Sequence, residues 1–201
     1  AGSRAIFTSG LAPSVSNTLD YINTVSAGDA VDFGDLSASR THCSAVGSFT
    51  RAIIMGGIVS APSYSNVIDY VSFATLGDAA DFGNLTASPQ LPAGASNSVR
   101  GLRGGGADPG NSNVINYITM ASAGDATDFG DLTVTRHGLG GLASPTRACF
   151  SGGESPSQET TIDYVEISTT GNAVDFGDLT DGRRGISGAS SSTRGVFSAG
   201  A

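Results

Sequence analysis

The chain has 201 residues with 29 Gly, 7 Pro, no Trp and no Lys; its ten basic residues are all Arg, set against 18 acidic ones for a net charge of −8. That balance excludes a nucleic-acid backbone as partner, because phosphate binding needs a basic face, and disfavours an anionic membrane for the same reason. No apolar run approaches the roughly 18 residues of a membrane span, and two cysteines cannot build a disulfide framework.

In chain order, Ala1-Gly2-Ser3 is in phase with the end of a repeat (Ser191-Ser192-Thr193 precedes Arg194), so the sequence reads as a mature piece or fragment of something longer. A unit then recurs four times. It opens on Arg4-Ala5-Ile6-Phe7, Arg51-Ala52-Ile53-Ile54, Arg100-Gly101-Leu102-Arg103 and Arg147-Ala148-Cys149-Phe150, each running into glycine. A short apolar run bounded by Gly predicts a strand buried on both faces. A Ser/Pro/Asn-rich loop follows, and the only length change among repeats falls there.

The second strand is predicted over Thr18–Val25, Val67–Phe73, Val114–Met120 and Thr161–Ile167, dense in β-branched residues. It ends in Gly28-Asp29, Gly77-Asp78, Gly124-Asp125 and Gly171-Asn172, the signal of a tight hairpin. A third strand carries Asp-Phe-Gly and ends at Leu36, Leu85, Leu132 and Leu179; a small-residue segment up to the next Arg completes a fourth. The pairs Tyr21/Phe33, Tyr70/Phe82, Tyr117/Phe129 and Tyr164/Phe176 are each 12 positions apart, and successive tyrosines are 49, 47 and 47 apart. A fixed period of this size signals a repeat architecture whose units pack on their neighbours, and no stretch holds helical periodicity. The chain is therefore predicted to be all-β, one repeat domain with units at about 4–50, 51–99, 100–146 and 147–193, and 194–201 starting a further repeat or closing a ring. Closure of a four-unit ring would need the segment 188–192 to be lent back to the first unit; the alternative is consecutive blades of a larger ring. Cys149 (slot of Ile6, Ile53 and Leu102) and Cys43 (slot of Leu139 and Ile186) read as small core residues.

The order Gly-Gly, loop, Asx-Tyr, an aromatic 12 residues on, then Arg40, Arg136 or Arg183 resembles the kelch repeat of β-propellers. The resemblance covers the whole chain and implies four-stranded antiparallel blades. Phe stands where kelch blades usually carry Trp, and Pro89 replaces the Arg in the second repeat. The wording is also similar to repeats of marine bacteriophage tail-fibre and virion-surface proteins. That similarity implies an extracellular or virion-borne, non-enzymatic module whose partners are a cell-surface glycan or other virion proteins, with homo-oligomers in view and no cofactor. The alternatives are a structural decoration or linker within a larger assembly, and an enzyme of the galactose-oxidase type.

The Asp-Phe-Gly motifs do not make a kinase, since the chain has no lysine and no phosphate loop. Thirteen of fifteen Asp fall in repeated slots. Asp29, Asp32, Asp78, Asp81, Asp125 and Asp128 are weak calcium candidates, read first as turn caps and partners of the repeat Arg. His42 and His137 sit at non-identical phases and both Cys at core slots, which argues against a copper radical centre, and no Ser-His-Asp order stands out. Function is expected where the copies disagree. Arg103 replaces Phe7, Ile54 and Phe150 and reads either as an axial cation for a carboxylate or sugar or as the partner of Asp108. Tyr64 is the only aromatic in the variable loops 11–16, 59–65, 107–112 and 154–159, a candidate sugar platform.

Overall fold

A computed structural model describes residues 3–11, 13–60, 63–198 and 200–201; the loops 11–16 and 59–65 thus include positions outside the described residues. The described residues form strands, turns and bends with no helix, so none is long and apolar enough to cross a membrane. The first sheet is β1 (Arg4–Leu11), β2 (Val15–Asn23) and β3 (Val31–Asp35). The second is β4 (Ser44–Gly47), β5 (Arg51–Met55), β8 (Val67–Ser72) and β9 (Ala80–Asn84), with the hairpin β6 (Ile58–Ser60) and β7 (Ser63–Tyr64) inserted. The third is β10 (Ala93–Ser96), β11 (Arg100–Gly104), β12 (Val114–Thr119) and β13 (Thr127–Asp131). The fourth is β14 (Gly140–Ala143), β15 (Arg147–Ser151), β16 (Thr161–Glu166) and β17 (Val174–Asp178), and β18 (Ser187–Ser190) with β19 (Gly195–Ser198) makes a fifth, two-stranded one. All pairings are antiparallel, and a bulge recurs one residue before the Asx-Tyr step of each second strand.

The hydrogen-bonded grouping is offset by one strand from the units read in the sequence. The small-residue segment pairs forward with the next Arg strand, across turns such as Ser48–Thr50, rather than closing the unit it follows. The last copy obeys the same register: β18 pairs with β19, Ser187 opposite Ser198, as β4 pairs with β5, Ser44 opposite Met55. The strand that a four-unit ring would lend back to β1 is therefore occupied by β19. The expected tight hairpin is also replaced, because residues 73–79, 120–126 and 167–173 connect the second and third strands. Its Gly-Asp reaches the preceding sheet instead: Gly77, Gly124 and Gly171 N–H donate to Phe33, Phe82 and Phe129 O at 2.9, 2.6 and 2.8 Å.

Sheets pack face to face, one hydrophobic cluster per interface. Between the first and second sheets Leu19, Phe33 and Leu36 meet Ala52, Ile54 and Val71; between the third and fourth, Leu102, Ile115 and Phe129 meet Ala148, Phe150 and Val165. The strands are buried on both faces, as predicted, only where a sheet has a neighbour on each side: Ile53 and Ile54 are both fully buried. The small strands stack most tightly. A Cβ on Gly141 would lie 2.3 Å from Gly94 O, which is why this segment is limited to the smallest residues. Beside them runs a backbone chain between equivalent positions, with Leu91 N–H donating to His42 O (3.2 Å), Gly138 to Leu91 O (2.9 Å) and Gly185 to Gly138 O (2.8 Å). All four donors and acceptors lie at φ of 52–70°. His42 is exposed and holds this left-handed conformation without glycine. His42→Gly is expected to raise stability by about 0.5–1 kcal/mol, as relief of the strained φ outweighs the added freedom of the unfolded chain; a urea midpoint checks it.

Candidate functional site

The four-times-repeated wording first builds a scaffold. Each Tyr stacks edge-on against its Phe with ring centres 5.8–5.9 Å apart. The opening Arg4, Arg51, Arg100 and Arg147 lie over the other Tyr face at 5.0, 4.8, 4.6 and 4.6 Å. Each edge-on pair contributes about 0.5–1.5 kcal/mol beyond its buried area and each stacked cation about 0.5–1. The first three arginines also reach across an interface, to Phe73 O (2.6 Å), Met120 O (3.4 Å) and Ile167 O (2.8 Å). They bind rings and carbonyls, not the carboxylates expected from the sequence.

Carboxylates meet arginine at the second slot. Arg40 pairs with Asp69 and Arg136 with Asp163, both at 2.8 Å with all four side chains buried. The Ser37 and Thr133 hydroxyls also donate to these carboxylates, at 2.8 and 2.6 Å. Desolvation lowers the pKa of Arg136, partly offset by Asp163 and Glu159. Each pair joins one repeat to the next.

The middle interface departs from this, and two deviations noted in the sequence, Pro89 and Arg103, meet there with Asn116. Pro89 removes the cation, Asn116 removes the anion, and Arg103 is 1% exposed. Its Nη1 reaches Val114 O at 3.4 Å, the carbonyl equivalent to Val67 O and Thr161 O, which Arg40 and Arg136 take at 3.0 and 2.8 Å. A guanidinium thus enters the same site from a different strand. Burial lowers its pKa to about 10, with Asp108 opposing. Asp108 forms no ion pair with it and instead accepts the Ser88 N–H at 2.8 Å, and a ligand in solvent does not reach Arg103. Tyr64 lies half-buried in β7, its hydroxyl 3.5 Å from Gln90 Nε2.

Among the aspartates considered for calcium, Asp78 and Asp125 accept the N–H of Asp35 and Asn84 of the preceding sheet at 3.0 and 2.8 Å, and Asp81 caps Gly83 N–H at 3.1 Å. Asn172 does the same to Asp131 N–H, which explains why Asn is tolerated in that slot. Among the described residues, no three His, Cys, Asp or Glu side chains cluster as a metal site would require. Cys43 packs against the first hydrophobic cluster and Cys149 is half-buried, its thiol pKa raised by burial against the pull of Arg147; the two form no disulfide.

The feature that gathers all copies is elsewhere, at the turns between each small strand and its Arg strand. Residues 47–49, 96–98, 143–145 and 190–192 line one open pocket of about 560 Å³. Each turn is pinned by its own Ser48, Asn97, Ser144 or Ser191, which accepts the N–H groups two and three residues on, for example Asn97 Oδ1 from Val99 and Arg100 at 2.9 and 2.8 Å. The turns are also tied to one another, by Ser96 Oγ to Gly47 O (2.9 Å), Asn97 Nδ2 to Pro145 O (2.9 Å) and Ser190 Oγ to Ala143 O (2.6 Å).

No protein-family model and no curated protein matches this chain.

The pocket lining carries hydroxyl, amide and backbone groups and no ionisable side chain. Phe49 is 71% exposed at its rim, in the slot that Ser98, Pro145 and Ser192 fill elsewhere. Sequence reasoning sought function in the loops after the glycines, at the other end of the Arg strands. There the polar groups are largely spent on internal bonds, such as Asn111 to His137 Nδ1 (2.8 Å) and to Glu154 O (3.1 Å). Comparison of the four turns would have found Phe49, the lone aromatic among their tips.

Proposed function

We propose that the chain is a non-catalytic binding module, a kelch-like β-propeller arc borne on a virion or tail fibre, that recognises a cell-surface glycan at the pocket formed by its repeated turns. The observation that carries this reading is the meeting of four equivalent turns on one pocket. The turns are tied each to the next and so present one continuous lining, as the inner turns of blades set about an axis would. The lining suits a neutral sugar: fixed hydroxyl and amide groups for its hydroxyls, an exposed aromatic face for its C–H side, and no buried charge to desolvate. Repetition adds avidity when several chains are displayed together.

A glycan array probed with the whole chain tests this. Binding to a set of host-surface glycans that Phe49→Ala weakens about tenfold (a stacking contact of order 1 kcal/mol or more) supports it. Uniform silence, with the fold intact by circular dichroism, rejects adhesion in favour of a purely structural role in a larger assembly.

A further inference from the structure

The turns that line the pocket are tied in chain order, so their tips follow one another along it as Phe49, Ser98, Pro145 and Ser192. A ring and a hydroxyl thus alternate twice. All four tips are exposed. The residue before each tip holds the main chain of its turn through the N–H groups two and three residues on, which fixes where the tip stands before any ligand arrives. Among the described residues the Ser98 and Ser192 hydroxyls form no hydrogen bond, whereas those of Ser96 and Ser190 are spent on tying one turn to the next.

The rest of the lining narrows what can lie along these tips. A peptide strand docks through a free row of main-chain N–H and C=O groups. Here the N–H groups of Ser48, Asn97, Ser144 and Ser191 are bonded across their own turns to the carbonyls of Arg51, Arg100, Arg147 and Arg194. The carbonyls of Gly47, Ala143 and Pro145 accept the ties between turns. With no ionisable side chain, the lining offers no partner to an acidic or a basic ligand. Two apolar faces and two hydroxyls are left, the complement of a chain of pyranose rings, which presents C–H faces and hydroxyl edges along its length. One pyranose stacked on Phe49 leaves Pro145, two turns further on, bare. A chain of sugars meets both.

We infer that the pocket takes an internal stretch of a linear, neutral polysaccharide rather than a single terminal sugar. The stretch lies across the turns, with sugars stacked on Phe49 and Pro145 and their neighbours hydrogen-bonded to Ser98 and Ser192. The inference rests on the reading of this pocket as a glycan site and adds how many sugars it holds and how they run. The pocket's volume of about 560 Å³ falls within the roughly 300–1,000 Å³ of sites that enclose ligands of several rings. Because it is open, the chain can continue past the lining.

A length series tests this: linear oligosaccharides of one to six glucose, mannose or N-acetylglucosamine units, titrated calorimetrically against the whole chain. Affinity in at least one series is expected to rise with each added sugar up to four, one for each tip, and then to level off. Pro145→Ser should weaken the hexasaccharide of that series about fivefold and leave its monosaccharide unchanged, whereas Phe49→Ala weakens both. Serine already fills this slot at Ser98 and Ser192, and the Pro145 carbonyl that Asn97 bonds is main chain, so circular dichroism should remain that of the wild type. An affinity that is flat from one sugar to six, or indifferent to Pro145→Ser at every length, overturns the inference; Phe49-dependent binding then leaves the pocket as a site for one sugar. Binding confined to the branched or terminal sugars of a glycan array overturns it in the same way. Silence of the series and the array together removes both readings.

Discussion

Arg136→Pro should lower the unfolding free energy by about 3–5 kcal/mol, the usual loss when one partner of a buried ion pair is removed. The reason lies in what remains. Asp163 is fully buried, and without the guanidinium its charge keeps only the Thr133 hydroxyl and N–H. Desolvation of that carboxylate, far more than loss of a favourable pair, sets the size of the effect. The chain itself contains the remedy one interface earlier, where Pro89, Arg103 and Asn116 occupy the slots of Arg136, Phe150 and Asp163. Adding Asp163→Asn should recover the part due to the stranded charge, because Asn116 already serves there, accepting the Thr86 hydroxyl at 2.9 Å. Adding Phe150→Arg should recover more, by returning a guanidinium to the carbonyl of Thr161, as Arg103 does for Val114. Urea unfolding followed by far-ultraviolet circular dichroism reads all three steps. A triple variant no more stable than Arg136→Pro would show that the middle interface is not an interchangeable solution to the same packing problem.

This trio marks where the sequence stops being legible. Pro89 and Arg103 stand out as individual deviations, yet nothing in linear spacing joins them to Asn116, because the bond they rebuild spans two repeats. Arg40 and Asp69 are 29 positions apart, and Arg136 and Asp163 are 27 apart. The strands are legible because β-branched residues alternate along them and glycines bound them: the predicted second strands differ from β8, β12 and β16 by one residue at one end. The grouping of strands into sheets is not. Whether a small-residue segment pairs backward or forward depends on the Ser or Asn that nucleates the following turn, a signal of one side chain against a Ser-rich background. Gly-Asp was misleading for a related reason. Its glycine and carboxylate do serve a turn, but the groups they satisfy belong to the preceding sheet. Phe49 is obscured because length varies among the repeats only in the loops after the glycines, whereas the pocket is built from turns of constant length.

Gly130→Ala should cost several kcal/mol more than Gly177→Ala, although both glycines sit in the same Asp-Phe-Gly motif. Both have positive φ, +143° and +135°, so alanine is strained at either by about 1–3 kcal/mol. They differ in what lies opposite. A Cβ at Gly130 would fall 2.4 Å from Gly171 O and 2.5 Å from its carbonyl carbon, both rigid backbone, while at Gly177 it meets open space. Relief at Gly130 requires the third and fourth sheets to part, which lengthens the Gly171 N–H to Phe129 O bond and the Asn172 cap on Asp131 N–H and uncovers Phe129. Overpacking of this kind adds about 1–3 kcal/mol to the strain, and more where backbone cannot yield. The difference between the two variants in urea midpoint therefore isolates the sheet-to-sheet contact from the dihedral strain. Equal losses would mean that glycine is required in this motif for its φ alone. A larger loss at Gly130 would mean that the motif is a docking surface, read by the turn of the following repeat, and that the recurrence of Asp-Phe-Gly reflects the spacing at which one sheet can lie on the next.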